Sequence, residues 1–267
     1  MSDGSAISVL SWNLWWRFGP WRERLPAIVE TIRAADPDVL GLQEVWVADG
    51  TSSAHQIAEA LDYHVVVGHR LVLDGVGFGN AVLSRWPISG STTVALPGDP
   101  DDDDEERVVL AADVTAPRGP LQVFSTHLNW RYDHGATRQE QVRTLCAMVS
   151  AKRPRGYPAV VCGDFNAEPD AEEIRMMTGK AALPTPGTVF MDTWSSVHGN
   201  GGGTTWSNAN PFAAQAYEHD RRIDYVFSGW RRPDGAGQPL SCRVVGDRPL
   251  DGVWPSDHFG VLAELRG

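Results

Sequence analysis

The stretch AVVCGDFNAEPD, residues 159–170, begins as an apolar run and ends in polar groups. Residues 159–162 have the apolar, partly β-branched composition of a short buried strand. Asp164 and Asn166 follow two positions apart, so in an extended chain both side chains would point the same way. A buried carboxylate is costly unless a partner or a metal compensates it. The stretch therefore predicts a core strand that leads into a polar site.

Length and composition indicate an ordinary globular chain. Residues 1–267 are predicted to form a single domain, which we expect to be monomeric. No apolar run reaches 18 residues, and the N-terminus lacks the features of a signal peptide, so we expect a cytoplasmic protein with no transmembrane segment. Cys146, Cys162 and Cys242 include no CxxC pair, which predicts reduced core thiols and neither disulfides nor zinc.

Charge is concentrated in one place. The net charge is −11, and residues 99–106, DPDDDDEE, hold seven of the acidic residues. The absence of a Lys/Arg stripe weakens the case for duplex nucleic-acid binding, although bound divalent cations would change the local sign of an acidic site. One hypothesis is that the acidic run repels polyanions from one rim. The basic residues are 21 Arg and 2 Lys, which indicates a GC-rich bacterial genome.

Strand-like and helix-like segments alternate along the chain without a long linker, which predicts an α/β (α+β) fold of mixed sheets covered by helices. Two of the strands, 108–114 and 121–126, are close enough to form a hairpin. The remaining predicted strands cover residues 7–12, 39–43, 64–68, 80–84, 159–162, 223–227, 241–245 and 259–265. Helices are predicted over residues 21–35, 53–61, 134–150 and 170–178.

Polar side chains lie at or just past the ends of these apolar strands. They are Asn13 in SVLSWNL, Glu44 in VLGLQEV, Asn80 in FGNAVLS, His127 and Asn129 in VFSTHLN, Asp164 and Asn166 in VVCGDFN, Asp224 in RRIDYVF, and Asp257 and His258 in WPSDHFG. Each has an ordinary structural explanation when taken alone; Asp224, for instance, could pair with Arg221 or Arg222. Several acids near one sheet edge would repel one another unless a cation lies among them. Oxygen ligands without cysteine favour Mg²⁺, or Mn²⁺, over zinc.

The motif order SWNL, LQEV, GNAVLS, STHL, GDFN, RIDYVF, SDHFG resembles that of the endonuclease/exonuclease/phosphatase superfamily, over about residues 6–264. The resemblance implies a four-layer α/β/β/α sandwich of two mixed β-sheets and a single catalytic domain. It also implies hydrolysis of a phosphate ester, with a phosphodiester favoured, through attack by a water activated by Mg²⁺ and a base.

By this resemblance Glu44 would be the principal metal ligand, with Asn13 near it and Asp257 as a further metal or water ligand. Asp164 would activate the water with help from Asn166. His258, oriented by Asp224, would bind the phosphate, and His127 would contact the phosphate or assist the leaving group. The number of metals and the identity of the general base stay open. The remaining predicted substrate contacts and phosphate clamps are Asn80, Asn129, Arg131, Arg138, Arg221 and Arg222.

Departures from the family pattern indicate which branch of the superfamily this sequence resembles most. Abasic-site endonucleases have a tyrosine where this sequence has His127, and an acidic residue soon after the Asn, where this sequence has Trp15 and Trp16. The deoxyribonuclease, sphingomyelinase and phosphatase branches are the better match. A nuclease acting on DNA or RNA and a phosphoesterase acting on a lipid headgroup or small molecule both remain open. A non-catalytic binding protein of the same fold is disfavoured because all the expected polar positions are filled.

Overall fold

The strands and helices are described in a computed structural model that covers residues 6–98, 106–152 and 156–267. Most of the acidic run, residues 99–105, lies outside these ranges. The hypothesis that this run repels polyanions therefore concerns residues outside the described part of the chain. Strands β1 to β13 are, in chain order, Ile7–Asn13, Val39–Ala48, Thr51–Ser52, His64–Leu73, Val76–Ser84, Ile88–Ala95, Val108–Ala116, Gly119–His127, Val160–Asp164, Phe190–Asp192, Asp224–Gly229, Pro239–Val245 and Gly260–Leu265. Helices α1 to α5 are Trp21–Ala35, Ser53–Leu61, Gly135–Lys152, Glu172–Met177 and Thr193–His198.

Helices α1 and α2 have the predicted bounds, α3 and α4 differ from theirs by one or two residues at each end, and all ten predicted strands fall within the observed strands or one residue beyond them. Ser52 begins α2 by accepting a hydrogen bond from the His55 amide. The sequence analysis missed β6, whose residues are mostly half-buried or exposed and show no apolar alternation. It also missed the short elements β3, β10 and α5.

The described strands form two mixed sheets. The first has the order β12-β13-β1-β2-β5-β4, with β3 paired to β2, and the second has the order β10-β11-β9-β8-β7-β6. In each sheet a central pair is parallel: β1 with β2, and β8 with β9. The carboxyl ends of these parallel pairs are therefore at the same edge of their sheet, which is where the polar motifs fall.

Alternating side chains divide the core into three apolar layers. Val9 on β1 and Cys162 on β9 point between the sheets, whereas their neighbours Leu10 and Val161 point outward. Outward residues of the first sheet pack against α1 and α2, and those of the second pack against α3 and α4. The result is an α/β/β/α sandwich, so the predicted fold class is confirmed.

The two sheets approach most closely where glycine is required. A Cβ atom on Gly41 of β2 would lie 2.3 Å from Cys162 Cβ on β9. Backbone and side chain on opposite sheets thus meet with no room for a methyl group. This contact lies two to three residues from Glu44 and Asp164, so it fixes the distance between the sheets beside the polar site.

We predict that Gly41→Ala destabilises the fold by about 1–3 kcal/mol, because the added methyl group must push the sheets apart. Urea denaturation of the variant measures the loss in free energy of unfolding. Gly90→Ala on the edge strand β6 is the control, since its Cβ would meet only Asp113, at 3.7 Å. Equal stability of the two variants would contradict the close approach.

Candidate active site

Strand register places three polar side chains abreast in the second sheet. His127 on β8 is paired with Asp164 on β9, and Asp164 is paired with Asp224 on β11. Paired residues on neighbouring strands present their side chains on the same face. The distance from His127 Nε2 to Asp164 Oδ2 is 3.4 Å. The hydrogen-bond ladder of the sheet thus builds half of the site.

The first sheet supplies the other half through Asn13 and Glu44. Asn13 ends β1, and Glu44 lies in a β-bulge of β2 with a φ of 52°, a left-handed conformation that is unfavourable for glutamate. The Asn13 amide donates to Glu44 Oε1 and to Asp164 Oδ2, both at 3.0 Å. One carboxamide therefore joins carboxylates on the two sheets.

His258 and Asp224 form a charged pair at the base of the site. His258 Nδ1 donates to Asp224 Oδ2 at 2.9 Å, and His258 Nε2 lies 3.7 Å from Asp164 Oδ2. Burial opposes the charged imidazole, but Asp224, Asp164 and Asp257 outweigh it and raise the pKa of His258 well above its ordinary value. The surrounding carboxylates therefore favour the imidazolium form of His258. Arg221 and Arg222 pair with other acids, so Asp224 is left for His258.

His127 has the opposite protonation because of Arg107, which the sequence analysis did not single out. Arg107 donates to His127 Nδ1 at 2.8 Å. Since a guanidinium only donates, Nδ1 must accept and the proton of the neutral ring is on Nε2. Burial, together with the charges of Arg107 and His258, lowers the pKa of His127 well below its ordinary value. Arg107 follows the acidic run directly, where it resembles a surface residue in sequence.

The carboxylates of the site lack full compensation. Burial and then the charge of Asp257 raise the pKa of Glu44 to about 7, and burial and then Asp224 raise the pKa of Asp164 to about 6. Burial also raises the pKa of Asp257. Glu44 Oε2 is buried and has no hydrogen-bond partner among the described residues. A buried acid oxygen without a partner is a place where a cation would relieve the desolvation cost.

The donor chemistry fits a divalent cation that prefers oxygen. Glu44 offers its orphaned oxygen, Asp257 offers a carboxylate close enough to raise the pKa of Glu44, and Asn13 holds both Glu44 and Asp164 in place. Asp164, Asp224 and His258 also lie within 4.8 Å of one another. His258 already donates to Asp224 through Nδ1, so its Nε2 is the atom of this trio that suits an anion contact.

Glu44, His127, Asp164, Asp257 and His258 line a cavity of about 430 Å³ between the ends of the two sheets, and Asn13 and Asp224 lie behind them. Its floor is polar, and its wall is largely apolar. The wall includes Trp15, Phe18, Leu71, Leu73, Phe78, Trp130 and Trp206, with Arg107, Arg131 and Arg221 at intervals. Trp206 packs edge-on against His258, with ring centroids 4.8 Å apart. The cavity thus presents charge to one end of a ligand and aromatic surface to the rest.

The structure places the other predicted site residues as follows. Asn166 lines the cavity, but the chain does not stay extended: Asn166 has a φ of 50°, and its amide donates to Asp164 Oδ1 in a tight turn. Asn80 donates to the Val108 and Ser125 carbonyls on the opposite sheet. Asn129 Oδ1 accepts from the Arg131 amide. Neither Asn80 nor Asn129 lines the cavity.

Like Asn80 and Asn129, two arginines that were predicted as substrate contacts do not reach the cavity. Arg138 is buried in an ion pair with Glu173, and Arg222 is buried in an ion pair with Asp192. Neither guanidinium lines the cavity. Their acid partners are 35 and 30 residues away in the chain, so the pairing has no local signature. Arg131 and Arg221 do line the cavity, although Arg221 also pairs with Glu218.

The model of the Endonuclease/Exonuclease/phosphatase family matches residues 10–258, which is most of the chain. The chain belongs to this family. Its members are metal-dependent phosphoric ester hydrolases, and the predicted family is confirmed. None of the helices in the described ranges is long and apolar enough to cross a membrane.

Individual relatives and structures agree with the family. The chain is 28% identical over 208 residues to an inositol phosphosphingolipids phospholipase C of Schizosaccharomyces pombe, covering 72% of this chain and 47% of the relative. It is 27% identical to exodeoxyribonuclease III of Haemophilus influenzae, covering 91% and 94%. An endonuclease/exonuclease/phosphatase structure from Beutenbergia cavernae matches with a TM-score of 0.74 at 27% identity, covering 98% of this chain and 71% of that one. The chain spans about half the length of the curated phospholipase relatives it matches.

We predict that Asp224→Asn lowers kcat on bis-p-nitrophenyl phosphate by about 10²- to 10⁴-fold, because the imidazolium of His258 loses the carboxylate that orients and charges it. Steady-state kinetics measure the loss. Asp251→Asn, on the exposed surface with a left-handed φ that asparagine tolerates, is the control. A kcat within twofold of the control would show that the Asp224–His258 pair is only structural.

Proposed function

We propose that the protein is a Mg²⁺-dependent phosphodiesterase whose substrate joins a phosphate to an apolar group. The observation that carries this proposal is that Glu44, Asp164 and His258 line one cavity, while Asp224 accepts a hydrogen bond from His258. A carboxylate without a partner, a carboxylate with a raised pKa and an imidazolium are the three groups that metal-assisted phosphate ester hydrolysis needs. Mn²⁺ could replace Mg²⁺ at the same oxygen ligands.

Glu44 and Asp257 would hold the cation, and Asn13 would orient Glu44 from the other side. When bound, a divalent cation supplies positive charge to the phosphoryl oxygens and favours ionisation of a water. In addition to its catalytic role, it would offset the burial of Glu44 and Asp257. Asn13 links this group to Asp164, so the position of the cation ligands and the position of the base are coupled.

Asp164 would take the proton from the attacking water. Its pKa of about 6 is close enough to neutrality for a general base, and it is mostly ionised at pH 7. The backbone N–H of Asn166 donates to Asp164 Oδ1 in a tight turn and so fixes the carboxylate. The other oxygen, Asp164 Oδ2, faces His127 and His258. Asp164 is thus held by fixed donors and still faces the cavity.

The two imidazoles would act on the phosphate in different ways. His258, as an imidazolium, would donate from Nε2 to a phosphoryl oxygen and stabilise the charge that develops there. His127 is neutral with its proton on Nε2, so it would donate a hydrogen bond to a phosphoryl oxygen or to the leaving oxygen. Arg107 keeps His127 in that tautomer and adds a positive charge to the same wall.

The cavity wall supports an amphiphilic substrate such as a lipid with a phosphodiester headgroup. Phe18 and Trp130 at its rim are 42% and 52% exposed, which leaves apolar surface for a ligand. The net charge of −11 disfavours a polyanion. The fungal relatives named as phosphosphingolipid phospholipases C support the same substrate class.

A nuclease acting on single strands is the second candidate. Trp130 and Tyr132 are exposed beside Arg131 and Arg221, and bases could stack on such rings between the two cations. The similarity to exodeoxyribonuclease III supports this candidate. Salt separates the two, since hydrolysis of DNA would fall steeply between low and physiological salt whereas hydrolysis of a neutral amphiphile would not.

We predict that EDTA abolishes activity. We also predict that Glu44→Gln raises the Mg²⁺ concentration needed for half-maximal rate more than about tenfold, because loss of a group that only orients a metal ligand already weakens metal binding by roughly that factor. The substitution keeps the shape of the side chain and removes its charge. Metal titrations of bis-p-nitrophenyl phosphate hydrolysis provide the measurement. Glu59→Gln, exposed on α2, is the control. An unchanged metal requirement would exclude Glu44 as a ligand.

We predict that Trp130→Ala raises KM for sphingomyelin in mixed micelles severalfold and leaves KM for bis-p-nitrophenyl phosphate nearly unchanged, because only the larger substrate reaches the rim. Trp230→Ala is the matched control: Trp230 is 66% exposed but lies in a separate groove at the opposite end of β11. If the loss instead appears on single-stranded DNA and not on sphingomyelin, the nuclease candidate is supported.

A further inference from the structure

Arg24 on α1 is almost completely buried, and its guanidinium is surrounded by backbone carbonyls. Nη1 donates to the carbonyl of Leu14 at 2.8 Å and to that of Pro255 at 2.9 Å. Nη2 donates to three more carbonyls, at 2.8 to 3.0 Å, which belong to Trp15, Trp16 and Phe18. Two nitrogens therefore hold five carbonyls from two segments that are 240 residues apart in the chain.

The first of these segments, residues 14–18, is hydrogen-bonded to the backbone of Glu44. Its amides donate back to the second strand: Leu14 to the carbonyl of Gln43 at 2.9 Å, and Trp16 to the carbonyl of Glu44 at 3.0 Å. Glu44 is the residue with the left-handed φ of 52°. Trp15 and Trp16 are also left-handed, with φ values of 57° and 34°. Because this backbone is unfavourable by itself, its conformation depends on the groups that satisfy its carbonyls.

The second segment leads to Asp257. Pro255 is two residues before Asp257, and Ser256 Oγ donates to the Asn13 carbonyl at 2.7 Å, at the start of the first segment. Burial lowers the pKa of Arg24 to about 10, opposed by Asp257 and Glu44, so the guanidinium stays charged at neutral pH. Arg24 thus donates to the backbone segments that lie next to Glu44 and Asp257, and its charge interacts with both carboxylates.

We infer that Arg24 is a positioning residue that sets the spacing of Glu44 and Asp257, the two carboxylates of the cation site. The inference rests on the proposed function, because it gives a role to acids that we assign to the metal. Arg24 does not line the cavity, so it acts through the two segments and contacts neither substrate nor cation. A residue with a structural role alone would affect stability and leave metal affinity unchanged.

The decisive variant is Arg24→Lys. Lysine keeps the buried charge and much of the volume, but its single ammonium has three donors and cannot span five carbonyls on two segments. Arg24→Met, by contrast, would leave the carbonyls without any donor and is expected to unfold. Arg138→Lys is the control, because Arg138 is equally buried, on α3, and also donates to backbone carbonyls, yet it contacts neither segment.

The experiment measures Mn²⁺ binding to the purified proteins by electron paramagnetic resonance, with Tm recorded by circular dichroism with and without Mn²⁺. We expect both Lys variants to have a lower Tm, and only Arg24→Lys to bind Mn²⁺ about ten- to a hundredfold more weakly than wild type. The Tm gain on adding Mn²⁺ should shrink in the same variant. Metal binding by Arg24→Lys as tight as in wild type would overturn the inference.

The two proposals fail in different ways. If wild type binds no Mn²⁺ and hydrolyses no phosphodiester, the proposed function is wrong and the role of Arg24 falls with it. If wild type binds Mn²⁺ and is active, but Arg24→Lys and Arg138→Lys lose affinity equally, general destabilisation explains the loss and only the inference on Arg24 is wrong.

Discussion

The Asn13 amide, which donates to Glu44 on one sheet and to Asp164 on the other, is the contact on which the site depends. Both bonds require the ends of the sheets to lie within the reach of one carboxamide. Gly41 permits that approach by leaving room for Cys162. The register of β8, β9 and β11 then brings His127 and Asp224 to either side of Asp164. The chemistry therefore follows from the spacing of the sandwich, and a change in sheet separation would disturb base and metal ligands together.

The same closeness makes the site electrostatically unfavourable without a cation. Asp164 and Asp257 are buried, Glu44 is partly buried, and all three have raised pKa values; Glu44 also holds a strained backbone conformation. Such strain persists only when the surroundings impose it. Here the surroundings are a bulge in β2, the amide of Trp16 and, through it, the carbonyl cluster around Arg24. The favourable packing of the first sheet therefore offsets the cost of holding Glu44 close to Asp164 and Asp257.

Much of this arrangement could be predicted from the sequence, because strand ends have a local signature. Apolar runs that stop at Asn13, His127 or Asp164 indicate where each side chain enters the site, and the apolar stripe of α1 predicted that helix to the residue. Contacts between distant segments have no such signature. Arg24 resembles a polar residue of an amphipathic helix, and Arg107 resembles the end of an acidic loop. Arg138 and Arg222 have the right chemistry for a phosphate, but their partners Glu173 and Asp192 are visible only in three dimensions.

The proposed catalytic groups and the aromatic wall of the cavity come largely from different parts of the chain. Glu44, His127, Asp164 and Asp224 lie in strands whose positions are fixed by hydrogen-bond ladders, whereas Asp257 and His258 lie in the segment just before β13. Most of the aromatic side chains of the wall lie in loops or an isolated bridge, namely Trp15, Phe18, Trp130 and Trp206, and Phe78 lies on β5. Loops tolerate replacement because few ladder bonds depend on them. One sandwich can therefore keep the same phosphate chemistry while its rim changes from a surface for bases to a surface for an apolar chain. The exception is residues 14–18, which Arg24 ties to the acids, so in that segment substrate choice and metal position are under one constraint.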